Sequence, residues 1–584
     1  MRRTTRQFAL LALLSFALAP ARAAAPAALE PFPEEEVRPG LRGVVSTVLH
    51  GTAPEPLEVE ILGVLDDGIG PGVDMILGRL LGEKANWSGV AAGMSGSPVI
   101  VDGKILGALS YSIGVMQKEP ICGITPIRRM LALHEYPGGT LPWVTADPQS
   151  TWRPIPLAVS ARGVAAGLLE RYTDIWDAIG ALPRGNVMPA TAGDVDAGPE
   201  ALVPGAPVAA LLVWGDVQLG ATGTVTWRDG DQLLAFGHPF LGIGRTRLPM
   251  APAEIIWTVP SLIDSFKIAR IGKPVGTVDQ DRMTAIAGQL GAVPPGIPVA
   301  ITVRRSGRPE SKFQYYVARD PFLSPLLADL VLRITIGQAI GAERDEALRM
   351  NAKIELEDGA SLALRLSAPG GPQGSTDQVL GLELSRNLAA LARPPFPLPE
   401  VSAVDVELSS VEPDGAWAVK RAMPDRLVAW PGDTVRVFVD LTGPRGMKRR
   451  ETLAVKVPQD APAGTYALLA GSARGLAGEF GSQGEARRRT ARDAADYLAA
   501  LAESPPDDRL QATLARPAEG LVGQGREYPA LPGSAHILLR SRPGGTELYR
   551  TKYLPLASAY TDMGRTVVAT ARVSLEVRSR ESAR

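Results

Sequence analysis

The run Ala92-Gly93-Met94-Ser95-Gly96-Ser97-Pro98, followed by Val99-Ile100-Val101-Asp102-Gly103-Lys104-Ile105-Leu106-Gly107-Ala108-Leu109, constrains the fold more than any other stretch of this chain. Asp-Gly between two apolar runs is a strong local signal for a tight β-hairpin, here closed at Asp102-Gly103. Glycines on both sides of Ser95 permit backbone dihedrals that a side chain forbids and let another chain approach closely. Backbone N–H groups in such a turn can converge on one point and stabilise a developing negative charge. The same residues also suit a plain Gly/Ser turn capping a strand, since turn residues cluster for conformational reasons alone.

A serine nucleophile needs a base, and the chain has four histidines: His50, His134, His238 and His536. A second Asp-Gly hairpin, Gly223-Thr224-Val225-Thr226-Trp227 with a turn at Asp229-Gly230, runs into Leu233-Leu234-Ala235-Phe236-Gly237-His238-Pro239-Phe240. It delivers His238 at the end of an apolar strand, with glycine before it and proline fixing the backbone after it. A lone histidine at a strand end also reads as a structural residue. His50, on the same segment as Ser95, is the runner-up. His134 and His536 lie beside linker or peripheral strand sequence and are discounted. Ser97, one residue from Pro98 and outside the glycine bracket, reads as a turn cap.

At 584 residues the chain is long enough for several domains. A net charge of −1 with interspersed signs predicts no broad attraction to nucleic acid or anionic membrane. Residues 1–23 read as a secretory signal: Arg2, Arg3 and Arg6, an apolar core from Phe8 to Leu18, then Ala21-Arg22-Ala23. No later run is apolar and long enough to cross a bilayer, so the expectation is an exported chain, periplasmic or secreted and bacterial, without an integral span once the signal is removed. The single cysteine, Cys122, excludes an internal disulfide and lies in an apolar context that suits a buried thiol.

Composition shifts divide the remainder. Residues 24–38 form a flexible N-terminal segment, 39–135 a serine-bearing β lobe, 136–200 a linker and connecting region, and 201–320 a histidine-bearing β lobe. Residues 321–395 form a helical and connecting region in which 326–340 carries helical periodicity. Residues 396–475 read as β-sandwich-like through their alternation and the Pro431-Gly432-Asp433 turn. Residues 476–584 add a helix over 486–502 and further strands. No metal-ligand spacing, phosphate-cradling loop or cofactor motif is present.

The stretch Gly89-Val90-Ala91-Ala92-Gly93-Met94-Ser95-Gly96-Ser97-Pro98, with its Asp102-Gly103-Lys104 hairpin, resembles the SpoIVB peptidase family, named for a stage-four sporulation protein. Gly223-Thr224-Val225-Thr226, Ala235-Phe236-Gly237-His238, Gly276-Thr277-Val278 and Ala285-Ile286-Ala287-Gly288 resemble its histidine-bearing segment. The resemblance covers about residues 39–135 and 205–305. It implies a mainly β fold, a chymotrypsin-like double β-barrel with a few helices, here followed by the C-terminal β-sandwich-like region. It also implies a serine endopeptidase with Ser95 as nucleophile, His238 as general base and the N–H groups of Gly93 and Ser95 as oxyanion donors. The family's acidic residue lies shortly before the serine turn, where the nearest match is Asp74. Asp66, Asp67, Asp279 and Asp281 are alternatives.

In the sporulation relatives the histidine half precedes the serine half, whereas here Ser95 comes first. A triad is defined by geometry rather than chain order. Circular permutation, or pairing of halves from two chains, would preserve the site. No segment matches the PDZ module of those relatives. The function expected is that of an exported serine endopeptidase acting on a protein or peptide, with itself or one envelope protein as substrate. The competing expectation is a catalytically silent envelope scaffold that keeps the barrel.

Overall fold

The computed structural model describes residues 28–579, apart from 115–116, 136–151, 166, 180–186, 190–194, 196, 341–346, 369–375, 412–415, 444–445, 481–490, 503–506, 524–525 and 529–548. The signal segment at 1–23 and His536 lie outside the described residues.

Alternating apolar residues broken by Gly, Pro and Asp-Gly turns produce a mainly β chain whose centre is two closed six-stranded barrels. The first comprises β1 (Arg42–Thr47), β2 (Glu55–Gly70), β3 (Val73–Leu81), β4 (Ser97–Val101), β5 (Lys104–Ile113) and β6 (Ile121–Pro126). Around the ring they run β1-β2-β3-β6-β5-β4, and β4 pairs with β1 to close it. The β4–β5 hairpin turns at Asp102 (φ 48) and Gly103 (φ 79), two successive positive φ values as a type I′ turn requires. Closure buries Val45, Val59, Ile61, Val99, Leu109, Cys122 and Ile124 in one core. Burial pushes the Cys122 thiol up to about 12, so it packs as an inert apolar group.

The second barrel uses β7 (Pro207–Gly215), β8 (Gln218–Asp229), β9 (Gln232–Ala235), β10 (Gly244–Val259), β12 (Gly276–Arg282) and β13 (Ala285–Leu290), with β11 (Phe266–Ile271) paired to the far half of β10. Its ring order is β7-β8-β9-β13-β12-β10, closed by β10 on β7. Taken as first to sixth strands, both barrels follow the order first, second, third, sixth, fifth, fourth. Two separate stretches of sequence thus wind the same way.

The second barrel's sheet continues outward through β14 (Ile297–Arg304), β15 (Ser311–Val317), β16 (Ala347–Leu356), β17 (Ser361–Ala368) and β18 (Val401–Val411). Helices α1 (Leu323–Ile340) and α2 (Thr376–Ala392) pack together beside it. Helix α1 is apolar on nearly every face because it is buried on nearly every face, and its one buried cation, Arg333, pairs with Asp329 and reaches Asp174.

The sandwich lies further along the chain than composition indicated. Strand β18, expected within it, instead pairs in parallel with β14 and antiparallel with β16. The sandwich itself joins a four-stranded sheet (417–424, 434–442, 448–456, 567–568) to a six-stranded one drawn mainly from 464–472, 509–523, 549–562 and 570–577. One core including Val437, Val439, Tyr466, Leu468, Leu514 and Leu575 spans both sheets. Within the expected linker, 152–154 pairs with β5 and 158–162 with β8.

Candidate active site

Ser95 sits on the connection from the third to the fourth strand of the first barrel. His238 sits on the connection from the third to the fourth strand of the second. Each connection packs against the opposite barrel, and the two approach each other where Gly96 lies against Phe236. The Thr224 N–H donates to the Ser95 carbonyl at 2.8 Å, and Thr226 Oγ1 donates to the Gly96 carbonyl at 2.7 Å. From the histidine side, the Gly237 carbonyl accepts from Thr125 Oγ1 at 2.6 Å. The serine-bearing and histidine-bearing lobes therefore assemble within one molecule.

The contact requires Gly96. Its φ is +94°, and a Cβ there would lie 2.1 Å from the Thr224 carbonyl oxygen and 2.4 Å from the Phe236 nitrogen. Any side chain would drive the histidine connection away from the serine turn.

The turn's peptide units are fixed from behind. The Ala92 carbonyl accepts from the Lys267 N–H at 3.0 Å. The Met94 carbonyl accepts from the Ser97 N–H at 3.0 Å and Ser97 Oγ at 2.6 Å. Ser97 Oγ also reaches Thr47 Oγ1 at 2.9 Å, in keeping with its expected place as a cap. A trans peptide points its N–H opposite its carbonyl, so the Gly93 and Ser95 N–H groups face the other way. Among the described residues neither donates a hydrogen bond. Two unspent donors beside a serine hydroxyl suit an oxyanion hole.

Ser95 is 0% exposed and His238 1%. Ser95 Oγ and His238 Nε2 are both buried without a hydrogen-bond partner, so no bond links them in this arrangement. His238 Nδ1 lies 2.7 Å from the Pro239 carbonyl oxygen. A carbonyl only accepts, so Nδ1 carries the proton and Nε2 presents a lone pair, the tautomer a general base requires. The ring is steadied by edge contacts with Phe236 and Tyr111, at 6.1 and 6.5 Å between centroids. Burial pulls its pKa down to about 4, with the Pro239 bond opposing.

The chain matches no protein-family model, no curated protein and no solved structure. What the site can do is read from its own geometry.

The candidate acids separate clearly. Asp74 is half-buried at the tip of the β2–β3 hairpin, where its carboxylate accepts from the Asp67 N–H at 2.9 Å. It makes no hydrogen bond to His238. Asp66 and Asp67 are exposed at the same tip, and Asp279 is exposed on β12. Asp281, two residues further along β12, is 1% exposed and faces the histidine connection. One of its oxygens accepts from Phe240 N–H at 2.8 Å, the other from Leu241 at 2.7 Å and Ile243 at 3.2 Å. Burial raises its pKa to about 6, with these N–H bonds pulling it back. Asp281 fixes the loop that carries His238 without touching the ring.

His50, the alternative base, is exposed on the loop after β1 with its ring edge-on to Trp257 at 5.7 Å. Lys267 escaped the sequence reading. It is 2% exposed, with Nζ 2.9 Å from Thr47 Oγ1 and 3.2 Å from the Gly93 carbonyl oxygen. A signal existed: in Phe266-Lys267-Ile268-Ala269-Arg270-Ile271, period-two alternation puts Lys267 on the inward face with Ala269 and Ile271.

Proposed function

We propose that this chain is an exported serine endopeptidase of the SpoIVB type, with Ser95 as nucleophile and His238 as general base. The observation that carries the reading is the meeting of two equivalent barrel connections, one presenting an unpartnered serine hydroxyl and the other an unpartnered imidazole Nε2. In the reaction Nε2 takes the Ser95 proton as Oγ attacks a peptide carbonyl, and the oxyanion settles on the Gly93 and Ser95 N–H groups. The imidazolium then protonates the leaving amine, and water releases the acyl group from Ser95 by the same route. Asp281 is the carboxylate that positions the histidine, acting through the loop backbone.

Burial of Ser95 and His238 means that a substrate reaches them only after the covering chain moves, so the arrangement is that of a latent enzyme. The same burial favours a second reading, a non-catalytic envelope scaffold in which the two residues are packing remnants. Reaction of the mature protein with a fluorophosphonate probe separates the two. Labelling lost in both Ser95→Ala and His238→Ala supports the peptidase. Labelling lost only in Ser95→Ala moves the base to another residue. Absence of labelling in folded protein, persisting after limited proteolysis, overturns the enzyme in favour of the scaffold.

A further inference from the structure

Lys267 is a buried cationic side chain placed directly behind the serine turn, with no carboxylate within ion-pairing distance among the described residues. It grips Gly93 at three points. Its own N–H holds the Ala92 carbonyl, which fixes the peptide unit before Gly93. Its Nζ holds the Gly93 carbonyl, which fixes the peptide unit after it. Its aliphatic stem lies against the Gly93 Cα: a Cβ there would come within 3.1 Å of Lys267 Cδ and 3.3 Å of Lys267 Cβ. The amine's second acceptor, Thr47 Oγ1 on β1, also lies 2.9 Å from Ser97 Oγ, and Thr224 Oγ1 adds a further bond to the Gly93 carbonyl at 3.1 Å.

We propose that Lys267 is a positioning residue of the Ser95 site, clamping the two peptide units that flank Gly93 so that the Gly93 N–H stays aimed at the oxyanion position. The proposal rests on the peptidase reading for its catalytic meaning, while the clamp itself is a property of the fold. Burial pulls the amine down to about 7, opposed by the charge of Glu55, which heads β2 and pairs with Lys84. The remaining groups facing the amine are the neutral Thr47 hydroxyl and the Gly93 carbonyl. A neutral amine has two N–H donors and there are two acceptors, so the clamp persists on deprotonation while its positive charge is lost. Charge beside the oxyanion donors favours the transition state, so Ser95 reactivity gains a descending limb near pH 7.

The test uses the full mature chain and Lys267→Met, which keeps the stem and removes the amine. Amide hydrogen exchange by mass spectrometry is expected to speed up at least tenfold over 92–97, with the rest of the first barrel unchanged. Fluorophosphonate labelling of Ser95 is expected to slow at least tenfold at pH 6 and to lose its descending limb near pH 7. Folded Lys267→Met with wild-type exchange over 92–97 overturns the clamp. Altered exchange with an unaltered labelling profile overturns its catalytic role. Should Lys267→Met fail to fold, Thr47→Val, which removes the amine's second acceptor together with the Ser97 Oγ contact, is judged by the same two readouts. Wild-type protein that never labels counts against the peptidase reading alone, because exchange still judges the clamp.

Discussion

Ser95 and Thr224 are joined backbone to backbone: the Thr224 N–H donates to the Ser95 carbonyl at 2.8 Å across 129 residues of sequence. The position of the Ser95 backbone is therefore set by the histidine barrel as much as by its own. Substitutions that disturb this seam are expected to cost both stability and reactivity.

Gly96→Ala is the sharpest such case. The new Cβ would overlap backbone atoms of Thr224 and Phe236, which cannot rotate away, and φ at this position is positive. A loss of more than about 3 kcal/mol is expected in urea unfolding, from combined overlap and strain. Gly103→Ala is the control, at φ +79° with nothing within 4 Å of its Cβ. It should cost about 1 kcal/mol.

Asp281→Asn should separate the two candidate acids. An amide in place of the carboxylate turns N–H donors towards the N–H groups of Phe240, Leu241 or Ile243. The expected loss is about 2–4 kcal/mol, with serine-probe labelling down at least about tenfold because the imidazole is misplaced. Asp74→Asn, at an exposed hairpin tip, should change stability by less than about 1 kcal/mol and leave labelling intact.

His238 predicts a dependence on acid. Its folded pKa, about 4, lies below the unfolded value of 6.5, so the unfolded chain binds the proton more readily. The stability it preserves is fully present above pH 6.5 and is lost as pH falls through about 4, some 3 kcal/mol in all. Urea unfolding of wild type and His238→Gln at pH 7 and pH 4.5 should show the wild type losing about 2–3 kcal/mol more. Labelling should likewise fall below pH 4, where Nε2 no longer accepts a proton.

Arg333 tests the apolar helix. Arg333→Met leaves the 2% exposed Asp329 carboxylate without its counter-charge and should cost about 3–5 kcal/mol. Adding Asp329→Leu should recover much of that loss in thermal unfolding, since the unpaired buried charge is gone.

The serine turn and both hairpins were legible because their signals are local: Asp-Gly at a turn and glycine where φ is positive. Helix α1 was legible from its periodicity, and the structure extends it by three residues to Leu323. Ring closure was not, because β4 meets β1 and β10 meets β7 through pairings that no short window contains. The sandwich boundary shifted for the same reason, since β18 alternates like a sandwich strand and only its parallel partner places it elsewhere. Asp281 looked equivalent to Asp279 in sequence. Burial and three backbone donors tell them apart, and both arise from the loop folding back over β12. Lys267 was overlooked because a lysine in a strand is ordinarily an outward one.

The shared winding order of the barrels bears on the order of the two lobes along the chain. Each lobe contributes the same connection, and each is sealed by its own first and fourth strands rather than by its neighbour. Neither lobe closes through the other's strands, so barrel closure does not dictate which lobe comes first along the chain.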